Sequence, residues 1–252
     1  MTPEIKRRIQ YLLLVAIVLA TFRSGYILYH RHASSPAEHT PDKPASPPLD
    51  ADYYVIPKKL HAYDLKSARE LTRQPVWVKE GYRYTFYSYN PANRKVDFEH
   101  AAGQLLPLEK LDIQNVVAVS TPQAFRQQLP GGAVLEGEKQ VIGLFGYNGT
   151  HYAVPIGTEL GGDYHIYADE MFFIQDPKEL YKHWPADVWD AVDKHQVKAG
   201  MNELQTDFAI GMGVPEPSHE ADVKTVSYPN GGKPVRVTFR NGKAVEIQRS
   251  SG

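Results

Sequence analysis

An uncharged, mostly apolar run of twelve residues, Tyr11-Leu-Leu-Leu-Val-Ala-Ile-Val-Leu-Ala-Thr-Phe22, follows the cations Lys6, Arg7 and Arg8. Cations ahead of an apolar stretch are the layout of an export signal. After Arg23 the apolar character resumes in Ser24-Gly-Tyr-Ile-Leu-Tyr29. As a helix, the segment from Ile9 to Tyr29 would measure roughly 30 Å at about 1.5 Å per residue, enough to cross a bilayer. Arg23 would have to snorkel to the far headgroups, and Tyr26 and Tyr29 would sit in the outer aromatic belt. The reading favoured is an uncleaved single-pass signal-anchor over residues 9–29. A signal cleaved after Ala20, with Val18 at the −3 position, is the alternative, and a chance apolar stretch is a third. The positive-inside bias puts residues 1–8 in the cytoplasm and everything after residue 30 outside it, although Arg23 and Arg31 act against that bias.

Residues 30–52 carry five prolines and almost no large apolar side chain between Ala33 and Ala51. They cannot bury enough surface to fold, and read as a disordered stalk of extended polyproline II character. A ligand for an SH3-type partner is the rival reading. The whole chain has 252 residues, with 29 acids against 28 Lys and Arg and a formal net charge of −1. That balance, with no basic stripe in the body, argues against nucleic acid. Cysteine is absent, which excludes thiol catalysis, Cys-ligated zinc, disulfides and a lipidated N-terminal Cys.

The remainder reads as two units. Residues 53–175 show aromatic and β-branched runs separated by Gly, Asn and Pro: Val76–Val78, Tyr82–Tyr89, Lys95–Phe98, Ile113–Val119, Val141–Phe145, Tyr152–Val154 and Tyr164–Tyr167. These predict a small antiparallel sheet or partly open barrel. A short helix is expected around Leu65 to Thr72, and the stretch Thr121 to Gln140 is expected to be a long loop or small excursion. Residues 176–249 open on Asp176-Pro177-Lys-Glu179, an N-cap, an N1 proline and an N3 Glu. Trp184-Pro185 should restart the helix, burying Trp184, Val188, Ala191, Val192 and His195. Asn202 with Gln205 forms a second capping box, and Leu204, Phe208 and Met212 lead to a helix end at Gly213. Three strands finish the chain: Thr225–Tyr228, Val235–Phe239 and Lys243–Ile247. For the last hairpin, a two-residue Asn241-Gly242 loop would oppose Val237 to Glu246. The sequence therefore favours a three-residue loop, Arg240 to Gly242, with Val237 opposite Val245 and Val235 opposite Ile247. The fold class expected is α+β: a transmembrane helix, a strand-rich middle domain and a C-terminal helix-helix-three-stranded antiparallel sheet.

Two resemblances add to this. Gly200-Met201-Asn-Glu-Leu-Gln205, Gly211, Pro215 and Val237-Thr-Phe239-Arg-Asn-Gly-Lys243 resemble the pattern of BamE/SmpA-like envelope domains, which share a fold with β-lactamase-inhibitor proteins. The match covers about residues 195–249. The chain departs from it in lacking a lipidated Cys, in having two extra residues between Gly211 and Pro215, and in the strand-rich unit in front. Gly103-Gln-Leu-Leu-Pro-Leu-Glu-Lys-Leu111 weakly resembles the bend before a strand in SH3-like barrels. The first resemblance implies a bacterial cell-envelope setting and a binding role toward an envelope protein or the cell wall.

Motifs for chemistry are sparse. No Gly-x-Ser-x-Gly, His-Glu-x-x-His, P-loop or dinucleotide fingerprint occurs, Gly211-Met-Gly213 reads as a helix cap, and Asn148-Gly-Thr150 reads as a turn. If Asp163 to Asp169 were one strand, Asp163, His165, Tyr167 and Asp169 would share a face, with His151 on a neighbour. Such a face could hold a metal or an acid/base pair, as in an envelope hydrolase. The solvated side of a sheet explains it equally. On Tyr82–Tyr89, Tyr82, Tyr84 and Phe86 fall on one face and Arg83, Tyr87 and Tyr89 on the other. Arg83, Tyr87 and Tyr89 are the candidate partner-binding residues, since exposed Tyr and Arg suit protein interfaces. The functional expectation is a non-catalytic membrane-anchored binding or scaffold protein, with membrane lipid around the N-terminal helix, no cofactor, no metal and no small-molecule substrate; the alternative is the envelope enzyme.

Overall fold

A computed structural model describes residues 14, 17–29, 51–122, 126–128, 132, 134–135, 139–217, 220 and 222–249. Residues 1–50 and Ala51–Gly252 form two compact units. In the first, residues 17–29 are helical (α1), and Ile17, Leu19, Phe22, Tyr26, Leu28 and Tyr29 are all exposed. Among the described residues, no helix is long and apolar enough to cross a membrane. Much of the expected anchor, residues 9–13, 15 and 16, and nearly all of the expected linker lie outside the described residues. Asp52, assigned above to the linker, instead belongs to a 3-10 turn, Ala51–Tyr54.

The second unit is α+β with antiparallel sheets throughout. In chain order its elements begin with α2 (Leu65–Ala68), β1 (Val76–Val78), β2 (Thr85–Asn90), β3 (Lys95–Gln104), β4 (Lys110–Leu111) and β5 (Ile113–Ser120). Next come β6 (Gln127–Gln128), β7 (Val134–Leu135), β8 (Lys139–Tyr147), β9 (Thr150–Leu160), β10 (Asp163–Ile166), α3 (Ala168–Met171) and β11 (Phe172–Phe173). The chain closes with α4 (Pro177–Leu180), α5 (Ala186–Asp193), α6 (Glu203–Ile210), β12 (Val214–Pro215), β13 (Val223–Tyr228), β14 (Val235–Arg240) and β15 (Lys243–Arg249).

Capping residues fix the helix starts. Asp64 Oδ1 accepts from the Ser67 amide at 2.7 Å, and Ser67 Oγ accepts from the Asp64 amide, so a reciprocal box opens α2. Asp176 caps α4 by accepting from Lys178 N at 2.8 Å, with Pro177 at N1. The Asn202–Gln205 box is present in both directions at 2.8 and 2.9 Å. The end of α6 departs from expectation. Gly211, at φ +82°, stops the helix two residues before Gly213, and a Cβ there would stand 2.8 Å from the Gly81 carbonyl oxygen, so the position takes only glycine. Met212 therefore falls outside the helix and is exposed. His195 also lies past the end of α5, at φ +52°, with Nδ1 3.0 Å from the Ala209 carbonyl.

The small sheet β11-β1-β4 is apolar on both sides. Val76, Val78, Leu111 and Phe172 enter one core with Leu71, Tyr84, Leu105, Val154 and Ile156. Trp77 and Phe173, paired across the same strands, enter the other with Tyr181, Trp184, Phe208, Val226 and Val237. This follows from the period of two: successive strand residues point to opposite faces.

The C-terminal sheet runs β12-β13-β14-β15, one strand more than expected, because Val214–Pro215 adds an edge to β13. The last hairpin takes neither of the registers weighed above. Arg240 pairs Lys243 around a two-residue Asn241-Gly242 turn with φ of +50° and +72°, the signature of type I′. A bulge then leaves Val245 unpaired and 55% exposed, so Val237 meets Ile247. The bulge reconciles the tight turn with the apolar face: it shifts the partner strand by one residue exactly where a charge would otherwise face the core.

One side chain ties the start of the unit to its end. Asp52 Oδ1 accepts from Trp184 Nε1 at 2.6 Å and lies 2.6 Å from His183 Nε2, while Oδ2 accepts from Asn202 Nδ2 at 2.8 Å. Trp184 in turn stacks at 4.7 to 5.3 Å on Tyr181, Trp189 and Phe208. Asp52→Ala should leave the indole N–H without its partner and destabilise the protein by about 2–4 kcal/mol, read as a lowered urea midpoint with unchanged slope.

Candidate functional site

A groove lies against the five-stranded path β3-β2-β9-β8-β5. Each neighbouring pair on this path is antiparallel. One face carries Tyr84, Phe86, Val116, Val154 and Ile156 into the first core. The other face is also apolar, with Ile142, Leu144 and Ala153 buried beneath Tyr89, Val96, Phe98, Val117 and Val119. A flat sheet would hold its two edge strands about 19 Å apart, four spacings of about 4.8 Å. Here residues of β3 and β5, the two edges, line a single cavity of about 900 Å³ together with Tyr89 of β2. The sheet is curled around that face.

Three cations stand at the groove, Arg69, Arg94 and Lys95, and among the described residues no acid lines it. Arg94 sits at φ +55° in the β2–β3 turn, where Asn90 Oδ1 accepts from Ala92 N and Asn93 Oδ1 accepts from Lys95 N. Those two side chains fold the turn locally and so set where the two cations emerge. Arg69 comes from the helical turn after α2 and donates from Nε to the Val116 carbonyl at 3.3 Å. An apolar floor of this size with a few polar groups at its margin has the dimensions of a ligand or peptide cleft. On the floor's side of the sheet, Val119 pairs Gln140, whose fully buried amide has no hydrogen-bond partner at either atom.

The residues singled out in the sequence are distributed as follows. Tyr89 lines the groove. Tyr87 is 8% exposed, its ring 5.3 Å from that of Phe98, so it supports the floor rather than presenting a free hydroxyl. Arg83 is exposed and precedes β2, outside the groove lining. The alternation assumed for 82–89 is interrupted by irregular register at Phe86/Tyr87 and Tyr87/Tyr89.

The four residues of the alternative do not converge. Asp163 to Asp169 is not one strand: β10 ends at Ile166 and Asp169 belongs to α3. Asp163 and His165 are exposed, and His165 pairs Thr158, whereas His151 pairs Gly146 seven residues back along β9, about 23 Å away. The Asp169 carboxylate accepts from the Leu60 and His61 amides at 2.6 and 2.7 Å, which pins the N-terminal strap of the unit. Among the described residues no three His, Asp or Glu side chains gather to hold a metal.

What sequence reasoning missed was the groove itself. The signal was present: β5 is apolar on both faces, Ile113 and Val116 on one and Val117 and Val119 on the other.

A separate concentration of ionisable groups lies inside the unit. Asp207 Oδ1, Glu80 Oε2 and Tyr228 Oη are all buried, with the Asp207 carboxyl and the Tyr228 hydroxyl facing one another. Burial, reinforced by the Glu203 charge, pushes the Asp207 carboxyl up to about 7, against the pull of the nearby Tyr228 hydroxyl and the Lys224 ammonium. Burial raises Glu80 as well, opposed by Arg83 and Lys79. No family model, curated protein or solved structure matches the chain.

Because Asp207 holds its proton more tightly folded than unfolded, the stability it contributes is complete below its ordinary value of 3.8 and is lost as pH rises through about 7. Asp207→Asn should therefore be more stable than the parent at pH 8, with the two urea midpoints converging below pH 4.

Proposed function

We propose that this chain is a non-catalytic binding or scaffold protein of the bacterial cell envelope, held at the inner membrane by residues 9–29 and displaying its body on the periplasmic side. The observation that carries the reading is the groove: an apolar floor of Tyr89, Val96, Phe98, Val117 and Val119 beneath three cations. Such a surface offers contact area and charge, the ingredients of recognition. The Lys6-Arg7-Arg8 leader ahead of an apolar run supports the topology, and the exposed apolar side chains of α1 suit contact with lipid.

The finer domain readings fit the same picture. The curled antiparallel sheet of residues 53–175 supports a partly open, SH3-like barrel. Two helices, α5 and α6, followed by an antiparallel meander support a BamE-like unit over 176–249. The partner class is an envelope protein or the cell wall, reached across a Pro-rich stalk over residues 30–52; the role requires no nucleic acid, cofactor, metal or small-molecule substrate.

The topology is tested with the full chain carrying a C-terminal epitope in a Gram-negative host. After carbonate extraction the chain should remain with the inner membrane, and protease added to spheroplasts should remove the epitope while a cytoplasmic control survives. An epitope protected until the cells are lysed would overturn the envelope reading.

A further inference from the structure

Residues 51–63 cross the body as a strap whose two sides differ in kind. The inward side is pinned. Asp52 holds Trp184 and Asn202, Lys58 N donates to Gln175 Oε1 at 2.8 Å, and the Leu60 and His61 amides donate to Asp169. Val55 packs against one core, and Leu60 and Ala62 against the other. The outward side presents Tyr54, Ile56, Lys58, Lys59, His61 and Tyr63. Ile56 is 87% exposed, more than any other large apolar side chain among the described residues, and Tyr54 and Tyr63 are 70% and 75% exposed. One exposed apolar residue is ordinary, but three on a backbone that cannot retract them make a surface. The strap carries a single acid, Asp52, and that one is turned inward. Among the described residues neither Lys58 nor Lys59 forms an ion pair. The acids alongside are engaged elsewhere: Asp64 caps α2, Asp176 caps α4, Asp169 carries the strap amides with His61 4.0 Å away, Glu170 acts on Lys79, and Glu179 lies between Lys178 and Lys182.

We infer that the strap is the membrane-facing edge of the body and docks on the anionic lipid surface of the bilayer that holds the chain. This rests on the reading of residues 9–29 as an anchor and adds where the body touches that membrane. Each outward side chain suits a headgroup layer. Tyr54 and Tyr63 combine an apolar ring with a polar tip, the character enriched at membrane–water interfaces. Ile56 supplies the purely apolar contact, and Lys58 and Lys59 extend apolar stems that end in ammonium groups able to meet lipid phosphates. A protein partner could match the same side chains, and position in the chain decides against it. Residues 30–50 join the end of α1 directly to the strap, a span that cannot exceed about 70 Å even when fully extended. A tether of this kind holds a site near its surface at about millimolar effective concentration, so modest affinity is enough. The stalk limits how far the body can travel from the bilayer, and the strap sets which side turns toward it.

The chain has no cysteine, so Ile56→Cys, Tyr63→Cys and Val245→Cys each accept one nitroxide label. Each labelled full chain is placed in detergent micelles, in phosphatidylcholine vesicles, and in vesicles of phosphatidylcholine and phosphatidylglycerol in equal parts. In the mixed vesicles, access of an aqueous nickel chelate to the labels at 56 and 63 should fall about fivefold relative to micelles, while access of oxygen rises. The label at 245, on the exposed bulge of the last hairpin, should report no change. Lys58→Glu with Lys59→Glu should restore nickel access at both strap positions, with the thermal midpoint reporting retained folding. If that variant fails to fold, phosphatidylcholine alone or high salt should restore access in the parent chain. Strap labels equally open in mixed vesicles and micelles would overturn the docking, and equal shielding in phosphatidylcholine alone would overturn the anionic surface as its occupant. Shielding in micelles that grows with protein concentration would assign the strap to a second copy of the chain instead. Carbonate extraction of the same vesicles separates this inference from the anchor: release of a chain whose strap labels were shielded would remove the anchor and leave the docking, whereas retention with open labels would do the reverse.

Discussion

The arrangement of this protein depends on a sheet of three very short strands with no polar face. Trp77 and Phe173, paired across β1 and β11, point one way, while Val76, Val78 and Phe172 point the other. Burying both sides of a strand couples two cores through a single backbone ladder. The strand-rich region and the helix-and-meander region then form one compact unit rather than two connected by a tether. Lys110 and Lys79 cover its margins, lying 5.8 and 5.0 Å over the Trp77 and Phe173 rings.

Two carboxylates extend this coupling to the start of the unit. Asp52 satisfies the polar edge of the Trp184 cluster, and Asp169 receives two main-chain amides of the strap that follows. Both sit more than a hundred residues from what they bind. A carboxylate accepting from buried or half-buried N–H groups removes donors that would otherwise be unsatisfied, which is worth more than the same charge at the surface. Asp169 is thereby committed to structure, which removes it from the chemistry that its neighbours His165 and Asp163 invited. In the joint near Gly81 and Gly211 the opposite choice is visible: Asp207 and Glu80 are buried with no backbone amide to hold their charge, and burial shifts both toward the neutral form.

The groove arises from the same economy of strands. A curled sheet with an apolar concave face must either close on itself or leave two edges with something between them. Among the described residues β3 and β5, which run in the same direction, are not paired with one another. The cations at the opening come from local turn chemistry at Asn90 and Asn93, and from the helical turn that packs beside β5.

Residues a few positions apart made their structure legible in advance. The Asn202–Gln205 box, the Asp176 cap, the Trp184-Pro185 restart and the alternating runs of β1, β5, β8, β13 and β14 all rest on hydrogen bonds or side-chain periods contained within a single element. Where a neighbour from elsewhere intervenes, local reading fails. Gly211 rather than Gly213 ends α6, at a positive φ beside the Gly81 backbone; a bulge at Val245 rescues the register that the Asn-Gly turn alone would lose; β10 stops at Ile166, and Asp169, in α3, binds the strap. The candidate site belongs to this second kind. The tyrosines of β2 and the two-faced character of β5 were readable, but a groove is a relation between edges, and which strands become edges is decided only when β2, β9 and β8 pair between them. The sequence by itself determined the caps, the strand periods and the leader of cations and apolar residues, since each is a matter of neighbours along the chain. The tertiary structure decided the joint, the burial of Tyr87 and the open side of the sheet, since each depends on contacts between residues far apart in sequence.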